Sequence, residues 1–279
     1  MMTTNPFSEL SALISADIMQ GYIILMFILV VLGTVLDMMH KKSATYFFEN
    51  AKKQKKAAKR TVDGGEKIGL LVKTVASEVI TSSEFCYTPR RISHLLTMYG
   101  FIIFVVTTAM MIFGADTSSG TVPMLWHIGA LMLAVGGYWF WFFIRVDVAA
   151  EGIKWYQLRR ADMFVVSLLA MSTFGLIWSY LQSGGVSGWD MAFFVLFIAS
   201  STFLFSTVLW SKFAHMFFKP AAAFQKRVTK ADGSRENLPP DYDLSDPAVQ
   251  AKFPDIPEYM GKNPSYMGLG IKRETPRHY

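Results

Sequence analysis

The chain has 279 residues, 52% of them hydrophobic and 15% aromatic, with a mean hydropathy of +0.31 and a formal net charge of +6. That is more apolar surface than a soluble domain of this length hides, which excludes a purely soluble protein. A single cysteine, Cys86, excludes an intrachain disulfide and a thiolate metal cluster.

Residues 1–18 carry no Lys or Arg and precede a first apolar run, Met19 to Leu36, which predicts a spanning helix over 19–39. A basic n-region and an A-x-A-like site are both missing, so this helix is expected to serve as its own insertion signal rather than a cleaved leader. Residues 40–93 form a long basic loop. Within it Lys52 to Arg60 is a cationic run, and Ile68, Leu71, Val72, Val75 and Val79 recur at helical spacing. That spacing predicts an amphipathic helix lying either on the membrane or against a partner.

Four further apolar runs follow: Leu95 to Phe113, Met124 to Ile144, Met163 to Tyr180 and Met191 to Trp210. Each approaches the ~20 residues that cover a hydrocarbon core, and such continuous runs suit helices rather than barrel strands. The prediction is an all-α integral membrane protein, a bundle of five transmembrane helices whose second to fifth members occupy 94–218. All 27 Lys and Arg fall in residues 41–94, in 145–161 and from Lys212 onward. The positive-inside rule makes those segments cytoplasmic, with the N-terminus outside and the C-terminus cytoplasmic. Residues 219–279 mix Pro, Gly, Tyr and Asp without period, and predict an extended tail whose Tyr242, Phe253, Tyr259 and Tyr266 dock on another subunit. The cations are read as anionic-lipid contacts and topology signals, not as a nucleic-acid surface.

Chemistry in such a chain is restricted to its few intramembrane polar groups. His94 opens the second span and His215 follows the fifth, so the topology sets them at similar depth on antiparallel helices. Two imidazoles facing across a bundle are the axial ligands of a low-spin b-type haem. Arg90, Arg91, Lys212 and Lys219 lie three or four residues from these histidines, on the same faces, where haem propionates need cations. Basic residues at helix ends and snorkelling interfacial histidines account for the same pattern without haem. His40 is a competing ligand on the same side of the membrane. His127, preceded by Trp126, has no histidine partner near the other face, so one haem is predicted; His127 is either a capped helix start or a quinone contact. Trp139 and Trp141, within the run Tyr138 to Phe143, form either a quinone wall or an ordinary aromatic belt. Gly129, Gly136 and Gly137 are read as close-packing positions.

The sequence Arg90-Arg91-Ile92-Ser93-His94 opening the second span, and Ser211 to Pro220 (Ser-Lys-Phe-Ala-His-Met-Phe-Phe-Lys-Pro) closing the fifth, resemble the membrane subunits of the respiratory nitrate reductase gamma type over roughly residues 15–225. Within that group the size and the Tyr- and Pro-rich tail most resemble the membrane anchor associated with dissimilatory adenylylsulfate reductase. The resemblance implies an electron-transfer subunit of the cytoplasmic membrane, working between quinone and a cytoplasmic flavin and iron–sulfur enzyme held by loop 41–93 and tail 220–279. Typical members carry two haems on four histidines; this chain has one histidine on each corresponding helix. A haem-free anchor for a soluble redox complex is the alternative, and a small transporter ranks last because the spans contain almost no charged residues and no pair of broken helices.

Overall fold

The computed structural model describes residues 2–40, 42–85, 87–114, 117–145, 154–186, 188–209, 215–234 and 246–252. Every regular element among them is helical. A 3-10 turn, Glu9–Ala12, precedes α1 (Ala16–His40), α2 (Lys42–Ala57) and α3 (Gly64–Thr74), which continues as a π-helical segment, Val75–Ile80. Next come α4 (Thr88–Ile112) and α5 (Thr121–Trp139), the latter extended by a π-helical turn, Phe140–Ile144. A short turn, Arg160–Asp162, leads into α6 (Met163–Ser183), followed by α7 (Trp189–Ser206), α8 (His215–Ala231) and α9 (Pro247–Lys252).

Five of these, α1, α4, extended α5, α6 and α7, are long and apolar enough to cross a membrane. In lipid a lone segment must satisfy its own backbone, and each run does so as a helix. Around the bundle α4 neighbours α5, α5 neighbours α6, α6 neighbours α7, and α1 touches both α4 and α7. The end that carries Arg90 and Arg91 of α4, Arg145 beyond α5 and Lys219 of α8 is called the basic end below.

The tightest seam is α4 against α5, and glycine makes it. A Cβ on Gly100 would stand 2.5 Å from the Leu133 nitrogen, and one on Gly129 2.7 Å from the Phe104 nitrogen. Gly136 likewise meets the Ser93 carbonyl at 2.8 Å, and the Ser93 hydroxyl donates to the Gly136 carbonyl at 2.8 Å. Small residues allow this backbone approach where lipid offers no hydrophobic drive between helices. Gly137 plays the same part toward α6, against Leu169.

Aromatic rings fill the middle. Phe104 of α4 lies 4.9 Å from Trp126 of α5 and 6.0 Å from Phe197 of α7, while Trp178 of α6 stacks on Phe197 at 5.8 Å. The N-terminal segment closes the end opposite the basic one: Phe7 packs edge-on to Trp126 and Trp178, and Gln182 donates to the Pro6 carbonyl. By contrast α1 is peripheral. It meets α7 through the Tyr22 hydroxyl, 3.0 Å from Thr202, and the turn after α7 through Gly33 against Val208.

The C-terminal half departs from expectation in two places. The fifth spanning helix stops at Ser206, short of Trp210, as the backbone turns through Thr207. Residues 215–231 are a helix, where the sequence reading began an extended tail at 219. Pro220 sits early in α8 and removes a single backbone bond, after which Ala221 to Ala223 propagate the helix readily. The remainder of the tail, 235–245 and 253–279, lies outside the described residues.

Gly100→Ala is expected to destabilise the bundle by about 1–3 kcal/mol, because backbone must move to admit the methyl group. Gly21→Ala on α1, where nothing lies within 4 Å, should be neutral or slightly stabilising. Thermal unfolding of the two variants in detergent checks the contrast.

Candidate functional site

The basic end of α4 carries His94, and the preceding segment folds over it. The π-helical segment ends at Ile80, and the chain turns through Ser82, a buried residue at φ +46, before α4 begins. A non-glycine residue adopts that backbone uncommonly, and here side chains hold it. The Ser82 hydroxyl is 3.1 Å from His94 Nδ1, Arg91 Nε donates to the Thr81 carbonyl at 2.6 Å, and the Tyr99 hydroxyl donates to the Ile80 carbonyl at 2.7 Å.

Phe85 completes the cover, its ring 4.8 Å from the His94 ring. Two cations lie over the Phe85 ring at 5.5 Å, the Arg90 guanidinium and the Lys219 ammonium. Lys219 belongs to α8 and also pairs with Glu84 at 3.0 Å. Lys219 stands one turn after His215, so the N-terminal part of α8 is tied to the turn that covers His94.

His215 thus reaches this end differently from the expected way: it opens a separate amphipathic helix instead of closing the fifth span. The cause is the break after Ser206, which frees the following chain to pack outside the bundle. The His215 side chain and all of Lys212 lie outside the described residues. Arg90 and Arg91, expected in the loop just before the second span, stand in the first turn of α4, which begins at Thr88. His40 ends α1 and is exposed.

A cap of α2, α3 and α8 holds α8 in place. Gln54 donates to the Asp232 carboxylate at 2.8 Å, the Lys59 and Arg60 backbone N–H groups donate to the Asp232 carbonyl, and Arg60 Nε donates to the Ala231 carbonyl. Arg60 grips Glu66 with two nitrogens, at 2.8 and 2.5 Å, and Arg227 bonds both Ser77 and Glu78. Asp63 caps α3 by accepting from the Glu66 N–H. The Arg60 hydrogen bonds hold the Glu66 carboxyl below its ordinary pKa and raise that of Arg60. Burial pushes Asp232 upward, but the donors from Gln54 and Ser234 and the charge of Arg60 outweigh it, leaving the group lowered.

The other predicted contacts are scattered. His127 is buried near the opposite end, with Nδ1 2.7 Å from the Pro123 carbonyl and Nε2 2.8 Å from the Ser179 hydroxyl. Both nitrogens are engaged, Nδ1 within α5 and Nε2 in joining α5 to α6, and the ring also lines an open apolar cleft of ≈ 280 Å³ with Met2, Leu131, Leu176, Ile177 and Tyr180. Trp141 is buried beneath the Arg145 guanidinium, 4.1 Å away, and Arg145 in turn grips Asp162 and the Gln157 carbonyl. Trp139 is half-buried at the last residue of α5 proper, twelve residues beyond His127 along the helix. Three described His, Cys, Asp or Glu side chains do not converge anywhere as a metal group.

Sequence reading missed Ser82, Glu84 and Phe85, whose roles depend on a turn that carries no periodic signal. Asp162 and Arg145, on the two sides of a loop, were equally silent. The packing of Phe7 against Trp126 and Trp178 was missed as well.

No family model, curated protein or solved structure matches this chain. The fold and its segregated charge define a multi-pass membrane protein with a helical cap at its basic end.

Because Glu66 and Asp232 are lowered in the folded cap, the stability they add is present above their ordinary values of 4.5 and 3.8 and is lost as pH falls through the lowered values. Hydrogen exchange of residues 42–80 and 215–231 should therefore show protection that is flat near neutrality and falls below about pH 4. Asp232→Asn should blunt that acid response.

Proposed function

We propose that this chain is the membrane subunit of a quinone oxidoreductase, of the kind its second and fifth spans resemble. It holds one b-type haem at the basic end between His94 and His215, and docks a flavin and iron–sulfur enzyme there. The observation that carries the reading is the bond between Lys219 and Glu84, which brings the helix that His215 opens to the cover over His94.

The donor chemistry fits a haem. His94 stands on a rigid spanning helix, and a hydrogen bond at Nδ1 is how a ligating imidazole is oriented, with Nε2 as the ligating atom. Arg90, Arg91 and Lys219 supply cations for two propionates, with Lys212 as a further candidate. Bound there, haem would supply one-electron transfer without a change of coordination. Ser82 sets the His94 ring, the apolar α4–α5 seam excludes water beneath it, and the cap presents a polar surface to a soluble partner. The concentration of cations at this end supports placing it in the cytoplasm, in the inner membrane. Trp139 and the neighbouring rings at the same end are the quinone contacts this reading favours over His127, whose nitrogens are both engaged.

A haem-free anchor is the second reading. It is favoured by Phe85, which packs on His94 beneath Arg90 and Lys219.

A reduced-minus-oxidised spectrum of the purified protein with a pyridine extraction tests the proposal, and about one b haem per chain is expected. His94→Ala and His215→Ala should each abolish haem retention and leave membrane insertion intact. Ser82→Ala, which removes only the orienting hydroxyl, should weaken haem retention about 10–100-fold. Absence of haem from the native protein would leave the anchor reading.

A further inference from the structure

The helix α3 and its π-helical extension are packed inside out. Four of their polar side chains face the protein: Glu66 binds Arg60, Ser77 and Glu78 bind Arg227 of α8, and Thr74 is buried. The apolar residues Ile68, Leu71, Val72 and Val75, at i, i+3, i+4 and i+7, are 64, 47, 62 and 39% exposed. A helix bathed in water on its outer face has the opposite arrangement.

The depth of the segment says what covers that face. The 25 residues of α4 rise about 37 Å against a hydrocarbon core of about 30 Å, so about five residues of α4 extend beyond it. Tyr99 is eleven residues past Thr88 and falls well within the core. A helical tyrosine leans back toward the helix N-terminus, which sets its hydroxyl, and the Ile80 carbonyl bonded to it, close to the hydrocarbon boundary. Arg91 ties Thr81 to the same end of α4. The extension of α3 therefore ends at the lipid boundary, and Ile80, 51% exposed, stands beside the outward faces of α4.

We propose that α3 and its extension form an interfacial helix, with Ile68, Leu71, Val72 and Val75 seated among the acyl chains of the leaflet at the basic end. Lys67 and Lys73, both exposed, meet anionic headgroups beside it. The polar face is locked to α8 by Arg227, so this insertion also fixes the cap, and with it the cover over His94, relative to the membrane plane. A soluble partner is left the polar surfaces of α2 and α8.

The test uses the full chain with Cys86→Ser and one new cysteine, at Leu71, Val72, Lys73 or Ile102, labelled with an environment-sensitive fluorophore. The proteins are reconstituted into phosphatidylcholine and phosphatidylglycerol vesicles with or without brominated acyl chains. Labels at Leu71→Cys and Val72→Cys should be blue-shifted and lose emission in brominated lipid, as does the label at Ile102→Cys on the lipid-facing side of α4. The Lys73→Cys label should keep its emission. Water-like, unquenched emission at both Leu71→Cys and Val72→Cys, with the Ile102→Cys label quenched, would overturn the proposal and assign the face to a protein partner. Equal quenching at Lys73→Cys would overturn the orientation.

Discussion

The seam between α4 and α5 governs the position of almost everything else. Gly100, Gly129 and Gly136 let the two backbones meet where any side chain would collide with backbone atoms of the other helix. In lipid, neighbouring hydrocarbon is as apolar as leucine, so association depends on such close packing and on bonds like Ser93 to Gly136. Phe104 and Trp126 then face one another across the seam and are met by Trp178 and Phe197 of the remaining spans. His94 follows Ser93 directly, so the same contact that packs the bundle sets the height and rotation of the candidate ligand.

Two histidines in this bundle illustrate how setting decides chemistry. His127 lies among aromatic rings with a partner at each nitrogen, a polar group made affordable in an apolar interior by complete hydrogen bonding. His94 stands at a helix end, with the Ser82 hydroxyl 3.1 Å from Nδ1 and its ring against Phe85, over which Arg90 and Lys219 lie. The first joins two helices; the second opens a span at the basic end, under the cover formed by Ser82 and Phe85.

The cap follows a different physics. Outside the membrane, ion pairs and amide bonds hold its helices, with Arg60 on Glu66, Arg227 on Glu78 and Gln54 on Asp232. Exposed pairs of this kind contribute little singly, and their effect here is to choose a register among helices. The proposed lipid contact of α3 complements this arrangement: the polar face is consumed by the cap, and the apolar face is what the membrane takes up.

Long apolar runs made the spans legible, because a segment that must satisfy its own backbone in hydrocarbon has no alternative to a helix of the right length. The same local logic showed α3, whose period alone marks it amphipathic, and the packing glycines of α5. What period and composition do not carry is contact between distant segments. The turn from Ser82 to Phe85 is defined by His94, Arg90 and Lys219, and the end of α7 at Ser206, rather than at the end of the apolar run, moved His215 onto a helix of its own. Likewise the outward direction of the α3 apolar face depends on Arg227, 149 positions beyond Glu78 in the chain. Element identity followed from local hydrophobicity and backbone hydrogen bonding, whereas the site was decided by side chains that meet only after the helices have packed.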